Sequence, residues 1–142
     1  MKNINFEDGY KEFTINNDPE RTIRFNPSDI AIVERFHEAS RALEKLIAES
    51  GEKEKNVEMK EDTVEAIGKL DKAIREQIDY IFNQPVSETV FGKQSPMAPV
   101  GGKMLFERFL EAVLPVITTH IQDEKKASAE RIGKYVNEAQ KL

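Results

Sequence analysis

Few side chains in this sequence are of the types that carry out catalysis. It contains two histidines, His37 and His120, and no cysteine, which excludes thiolate catalysis, cysteine-ligated metals and disulfide bonds. The histidines lack the short paired spacing of a metal-binding motif. A lone histidine in a helical pattern is far more often a surface or packing residue, so we expect neither to be catalytic.

Acidic pairs are the other candidates for chemistry. Glu34 and Glu38, and Asp62 and Glu65, share helix faces at spacings of four and three residues. Each pair has basic neighbours, which is typical of a solvated charged face. A general acid or base would need an environment that shifts its pKa, and the sequence gives no sign of one.

Phosphate or anion binding has one weak candidate. Gly101 and Gly102 precede a helical pattern and could present amides to an anion, but a turn explains them more simply. The sequence contains no phosphate-binding glycine loop, no G-x-S-x-G elbow and no H-E-x-x-H motif. We therefore predict that the protein is not an enzyme and has no cofactor or metal.

The composition favours a single helical domain with much solvated surface. The chain has 142 residues, of which 39% are hydrophobic and 33% charged, and its net charge is −5. Basic residues are dispersed among acidic ones, which argues against a nucleic-acid partner. Because no apolar run approaches the ~18 residues of a membrane span, we expect a soluble cytoplasmic protein that binds no membrane.

The first 26 residues predict a β-hairpin arm. Residues 10–15 and 21–25 have the β-branched and aromatic content of strands, and Asn16 to Pro19 supply turn chemistry between them. A two-stranded hairpin is marginal alone, so either helices or another chain must cover it.

The first helix is predicted to begin directly after the hairpin. Asn26 is placed as its N-cap and Pro27 as its first residue, while Asp29 would reach back to the Asn26 amide. Phe25 and Ile30 would then form a hydrophobic staple.

Three helical patterns follow. The first spans Pro27 to Ser50 and ends at Gly51, and the second runs from Asp62 to Pro85. Residues 52–62 are highly charged, as in a solvated loop or an exposed first turn. The apolar stripes are Ile30, Val33, Phe36, Leu43, Leu46 and Ile47 in the first helix, and Val64, Ile67, Leu70, Ile74, Ile78, Ile81 and Phe82 in the second.

The rest of the chain predicts an ordered loop and a third helix. Residues 88–102 contain breakers but also apolar side chains, so we expect a loop folded onto the helices. The third helix begins near Lys103, and Pro115 should kink or split it. Residues 122–142 form a narrowly amphipathic helix, either an exposed frayed end or a partner-binding arm.

The predicted fold is therefore mainly α, with a short N-terminal β-hairpin followed by three to four helices. We divide the single domain 1–142 into a hairpin arm (1–26), a helical core (27–121) and an amphipathic C-terminal helix (122–142). No internal repeat is visible in the sequence.

Two stretches resemble a known family. FNPSDIAIVERFHEA (25–39) and VFGKQSPMAPVGGKMLFERFLEAVLPVI (90–117) are similar to the tail assembly chaperone group among small tail proteins of long-tailed phages and prophages of Firmicutes. The residues that carry the resemblance are Phe25, Pro27, Asp29, Glu34, Arg35, Phe36, Phe91, Gly92, Phe106, Phe109, Leu110 and Pro115. They cover about a third of the chain, and the longer, charged C-terminal helix departs from the shortest members.

The resemblance implies a helical protein that binds the tape measure protein, keeps its hydrophobic helices soluble during tail assembly and is absent from the finished virion. Homo-oligomerisation is compatible with it. The family has no catalytic or cofactor-binding residues to carry over. Candidate partner-binding residues are Phe106, Phe109, Leu110, Val113, Ile132, Tyr135 and Val136, although each of those in the third helix is better suited to a core.

Two other functions remain open. A structural tail or head–tail connector protein that stays in the virion would pair through the hairpin edge. A small ligand-binding protein or enzyme would need a polar pocket around His37 or His120.

Overall fold

The computed structural model describes residues 1–53 and 61–140, except for the side chains of residues 51–53, 62, 135, 136 and 138–140. The elements are β1 (Lys11–Ile15), β2 (Asp18–Phe25), α1 (Ile30–Lys53), α2 (Glu61–Phe82), α3 (Ser87–Phe91), β3 (Pro99–Val100), β4 (Lys103–Met104) and α4 (Leu105–Gln140). The predicted fold class, an N-terminal hairpin followed by mainly helical structure, is confirmed.

Strands β1 and β2 form the predicted antiparallel hairpin. Lys11 lies opposite Phe25, and an irregularity in the register falls between Thr14 and Ile15. Asn16 and Asn17 both have positive φ, a conformation that asparagine tolerates better than most residues. The turn is therefore tighter than predicted, and Asp18 and Pro19 already belong to β2.

The junction between hairpin and helix differs from the prediction, because α1 begins at Ile30 rather than Pro27. The Asn26 carboxamide accepts a hydrogen bond from the Ser28 amide at 2.9 Å. The Asp29 carboxylate accepts one from the Ala31 amide at 3.0 Å. Two successive turns, each closed by a hydrogen bond from a backbone amide to a side chain, therefore occupy the residues that were predicted to start the helix. Asp29, not Asn26, lies at the N-terminus of α1.

The buried face of α1 is also rotated from the predicted one. Ile32 is 2% exposed and joins Ala39 and Leu43 in the core, whereas Ile30 is 69% exposed and Val33 also faces solvent. The predicted staple between Phe25 and Ile30 is therefore wrong.

The end of α1 and the first turns of α2 also depart from the sequence prediction. Helix α1 continues through Gly51 to Lys53 instead of ending at Ser50. In α2, Val64 is exposed, while Ile74, Ile78 and Ile81 are completely buried. The first turns of α2 thus lie outside the core, and its last three turns supply the core's centre.

The connection from α2 to α4 is ordered, as predicted. The Asp79 carboxylate accepts hydrogen bonds from the Ser87 amide at 2.7 Å and its hydroxyl at 3.2 Å, which hold the start of α3. Gly101 and Gly102, both with positive φ, form the turn between β3 and β4. This turn agrees with the simpler of the two interpretations of the glycine pair.

Helix α4 is continuous through Pro115, so the predicted split does not occur. It is 36 residues long, or roughly 54 Å at 1.5 Å per residue. Its first half contributes Phe106, Val113 and Ile117 to the core, whereas every residue from 122 to 134 is exposed. The predicted C-terminal helix is therefore the outer half of α4. Across the described ranges, no helix is long and apolar enough to cross a membrane.

Candidate functional site

An open cleft of about 420 Å³ lies where the hairpin, α3 and α4 meet. We call it the hairpin cleft. Its lining residues are Phe13, Thr14, Ile15, Asn16, Arg21, Ile23, Phe25, Val90, Phe91, Gln94, Leu105, Arg108, Phe109, Ala112, Val113 and Val116. Most of these side chains are apolar, which is typical of a surface that binds hydrophobic groups.

Aromatic side chains form the base of the hairpin cleft. Phe13 of β1 stacks on Phe25 of β2 with ring centroids 4.8 Å apart. Phe109 of α4 lies 5.9 Å from both Phe82 and Phe91, in edge or tilted contacts. Phe13 and Ile15 of β1 are packed against the core but only partly buried, and both line the cleft, so part of their surface remains open to it.

Two arginines fix the walls of the hairpin cleft. The Arg21 guanidinium donates hydrogen bonds to the carbonyl of Thr89, at 3.1 Å, and to that of Val90, so β2 is tied to α3. The Arg108 guanidinium donates to the Val100 carbonyl at 2.6 Å, which ties α4 to the β3–β4 turn. Carbonyl groups do not neutralise a guanidinium, and among the described residues neither arginine forms an ion pair with an acidic side chain.

The local charge of the hairpin cleft is opposite to that of the whole chain. Within the described part of the chain, its lining holds the two arginines and no acidic side chain, while the chain carries a net charge of −5. An apolar ligand that also bears a carboxylate would therefore be favoured at its rim.

A second apolar surface lies between α1 and α4, and we call it the α1–α4 groove. Its volume is about 280 Å³, and its lining residues are Val33, Phe36, Leu114, Ile117, Thr118, Ile121, Gln122 and Lys125. Val33 was predicted to be a core residue. It lines this groove because the face of α1 that packs on α2 centres on Ile32 instead.

The predicted partner-binding residues are divided among three environments. Phe106 and Val113 are 5% and 7% exposed and belong to the core, and Leu110 packs against it. Phe109 and Val113 reach the hairpin cleft. Ile132 is 54% exposed on the outer half of α4, and the side chains of Tyr135 and Val136 lie outside the described residues.

The two histidines lie apart and have ordinary surroundings. His37 is exposed on α1. The Nδ1 atom of His120 is 2.7 Å from the Val116 carbonyl, and its ring meets Phe13 edge-on at 6.3 Å. Among the described residues, no three His, Cys, Asp or Glu side chains are grouped as a metal site.

One acid–base pair stands out from the charged surface. The Tyr80 hydroxyl of α2 donates a hydrogen bond to the Glu38 carboxylate of α1. This bond, with some desolvation and the negative charge of Glu38, raises the pKa of Tyr80 above its ordinary value of 10.0. The pair links α1 to α2 at the surface, and neither residue lines the hairpin cleft or the α1–α4 groove.

Sequence reasoning missed the contribution of the hairpin to the site. Phe13, Ile15 and Arg21 were assigned only to the strands or the turn between them, although their alternation predicts an apolar face that requires cover. The arginine contacts to carbonyls more than sixty residues away have no signal in a single sequence.

No family model, curated protein or solved structure matches this chain.

Proposed function

We propose that this protein is a chaperone of phage tail assembly that binds the tape measure protein in the cytoplasm of the host bacterium. The hairpin cleft is the observation that carries the proposal, since it leaves the rings of Phe13 and Phe109 partly exposed in an open concave surface. The resemblance of residues 25–39 and 90–117 to tail assembly chaperones supplies the identity of the client.

The hairpin cleft suits an amphipathic helix of the client. Such a helix presents apolar side chains at spacings of three and four residues, which insert into an apolar groove. Each buried aliphatic side chain contributes about 1.5–3 kcal/mol. Acidic residues beside the apolar ones would meet Arg21 and Arg108, so the preferred client segments combine both types.

Co-expression with the tape measure protein of the same phage or prophage tests this function. The wild-type chain should keep the tape measure protein soluble and co-purify with it. Ala112 is exposed and lines the hairpin cleft, so Ala112→Trp should fill the cleft without removing a core side chain. The recovered complex should fall about tenfold, which corresponds to a loss of ~1.4 kcal/mol of binding free energy.

Thr119→Trp is the matched control, because Thr119 is exposed on the same helix and lines neither apolar opening. It should leave the complex intact. A client that co-purifies equally with both variants, or remains insoluble with the wild-type chain, would contradict the proposed function. Substitution of Phe106 is unsuitable for this experiment, because the side chain is part of the core.

A structural tail or connector protein is the second candidate, and the hairpin favours it. Within residues 1–53 and 61–140 no third strand joins β1 and β2, so an outer edge of the hairpin can pair with a strand of another subunit. Mass spectrometry of purified phage particles separates the candidates. A chaperone should be absent from them, whereas a structural component should be present at fixed stoichiometry.

A further inference from the structure

One face of α4, which runs from the inner into the outer half of the helix, carries the apolar side chains of Leu114, Ile121 and Ile132, which the core covers only in part, and we call this face the α4 stripe. Positions 114, 118, 121, 125, 128 and 132 alternate in steps of four and three, the spacing of one face of a coiled-coil helix. They hold Leu114, Thr118, Ile121, Lys125, Ser128 and Ile132. Leu114 and Ile132 both lie on this face, and they are 48% and 54% exposed.

The stripe and the α1–α4 groove form one continuous surface. Four stripe positions from Leu114 to Lys125 also line the groove, opposite Val33 and Phe36 of α1. A helix laid along the stripe would therefore contact α4 along its length and α1 at the inner end. Such an occupant would also support the outer half of α4, since an isolated helix of this length is marginal in water.

We propose that the occupant is a second copy of this chain, whose α4 pairs antiparallel with the first to form a two-fold symmetric dimer. In antiparallel packing, stripe positions of the two copies alternate across the interface. Ile121 of one copy then lies opposite Ile132 of the other, and this contact occurs twice by symmetry. The central layer places Lys125 beside Ser128 of the other copy.

Charge complementarity selects this register. Glu124 and Arg131 flank the stripe on the same side, both exposed. In the proposed register, Glu124 of each copy faces Arg131 of the other, which makes two ion pairs across the interface. A shift by one heptad in either direction would place Glu124 opposite itself or Arg131 opposite itself, and like charges in such positions are repulsive.

The same residues disfavour a parallel dimer. Parallel pairing would bring the two copies of Lys125 together in the centre of the interface, and the flanking Glu124 would face the apolar side chain of Ala129. In the antiparallel arrangement the two copies of Lys125 do not meet. Glu124 and Arg131 each face a side chain of opposite charge.

Sedimentation equilibrium of the full chain over a range of concentrations tests the dimer. The wild type should reach about twice the chain mass of 16.2 kDa. Ile132→Asp should shift it to the monomer. Ala127→Asp, on an exposed position off the stripe, should not. A wild type that stays monomeric throughout, or an Ile132→Asp variant that dimerises as well as the wild type, would overturn the proposal.

Charge reversal tests the register independently of folding. Glu124→Arg alone and Arg131→Glu alone should each weaken the homodimer, because each places like charges in both flanking pairs. An equimolar mixture of the two single variants should recover dimerisation as a heterodimer. Failure of the mixture to associate more tightly than either variant would refute the register.

Cross-linking tests whether the two α4 helices run antiparallel or parallel. Because the chain contains no native cysteine, only the introduced cysteines can form a disulfide. Under oxidation, a mixture of the Ile121→Cys and Ile132→Cys variants should yield a disulfide-linked heterodimer, while each variant alone should not cross-link. Cross-linking of each variant alone would show parallel pairing and overturn the antiparallel model. The dimer is independent of the hairpin cleft, so Ala112→Trp should leave it intact whether or not the client binds.

Discussion

Individual side chains connect segments that are distant in the sequence. Arg21 joins β2 to α3, Arg108 joins α4 to the β3–β4 turn, and Arg75 of α2 donates to the carbonyls of Gly92 and Gln94. A guanidinium presents several donors in a fixed plane, so one arginine can satisfy two carbonyls at once. These contacts hold the segment between α2 and α4 in place beside the hairpin cleft. They matter because the regular elements of that segment, α3, β3 and β4, are all short.

The contact between Tyr80 and Glu38 gives a testable dependence on pH. Because the pKa of Tyr80 is raised in the folded protein, its contribution to stability is fully present below the unfolded value of 10.0. It is lost as the pH rises through the higher folded value. In an ultraviolet titration, the phenol that ionises above that ordinary value should be missing in Tyr80→Phe.

Glu38→Gln is the control for that titration, since it keeps a hydrogen-bond acceptor but removes the negative charge. The pKa of Tyr80 should move back toward its ordinary value. A titration curve of Tyr80 that is identical in the wild type and in Glu38→Gln would show that Glu38 does not influence the phenol.

At the scale of elements, the rotation of α1 about its axis, which we call its phase, decides which of its side chains face the core. The sequence contains apolar residues at 30, 32, 33, 36, 43, 46 and 47, more than one face can bury. Two stripes were therefore compatible with the pattern, and the one chosen from sequence included Ile30 and Val33. The late helix start and the packing of α1 on α2 select the stripe that contains Ile32.

Ile32 and Ile30 provide a matched pair of substitutions on this helix. Ile32→Ala removes a buried side chain and should lower the free energy of unfolding by about 2–5 kcal/mol. Ile30→Ala has the same chemistry at an exposed position and should change it by no more than about 0.5 kcal/mol. Urea denaturation of both variants measures the difference, and equal effects would contradict the observed phase of α1.

At the scale of the whole molecule, α4 has two separate roles. Its inner half completes the core through Phe106, Val113 and Ile117, and the described side chains of its outer half, residues 122–134, are exposed. The α4 stripe shares no lining residue with the hairpin cleft and continues along the helix beyond it. A client in the cleft and a second copy on the stripe can therefore be held at the same time.

Deletion of residues 122–142 tests this division. Since the described side chains from 122 to 134 do not contribute to the core, the deletion should change the free energy of unfolding of the monomer by less than about 1 kcal/mol. It should abolish the dimer. The comparison requires a concentration at which the wild type is monomeric, because dimerisation adds apparent stability. A truncated chain that unfolds at a much lower urea concentration would show that the outer half supports the core.

The sequence by itself determined the presence and approximate extent of the hairpin and of the long helices. These depend on local patterns: alternation with period two, recurrence at three and four residues, and the glycines and prolines that interrupt them. For the same reason the ordered connection and the turn at Gly101 and Gly102 were predicted correctly. Of the two effects predicted for Pro115, a kink or a split, the split does not occur, because α4 passes through it without a break.

Only the tertiary structure decided which face of α1 is buried and how the hairpin cleft is assembled. The start of α1 is a local matter, since Asn26 and Asp29 each accept a hydrogen bond from the amide two residues on, but the sequence pattern did not distinguish these two turns from a helix cap at Asn26. The cleft depends on Phe13, Arg21 and Phe109, which come from separate elements and meet through packing. Local periodicity says that a helix or strand has an apolar face, but long-range contacts determine what that face meets and which part of it remains open.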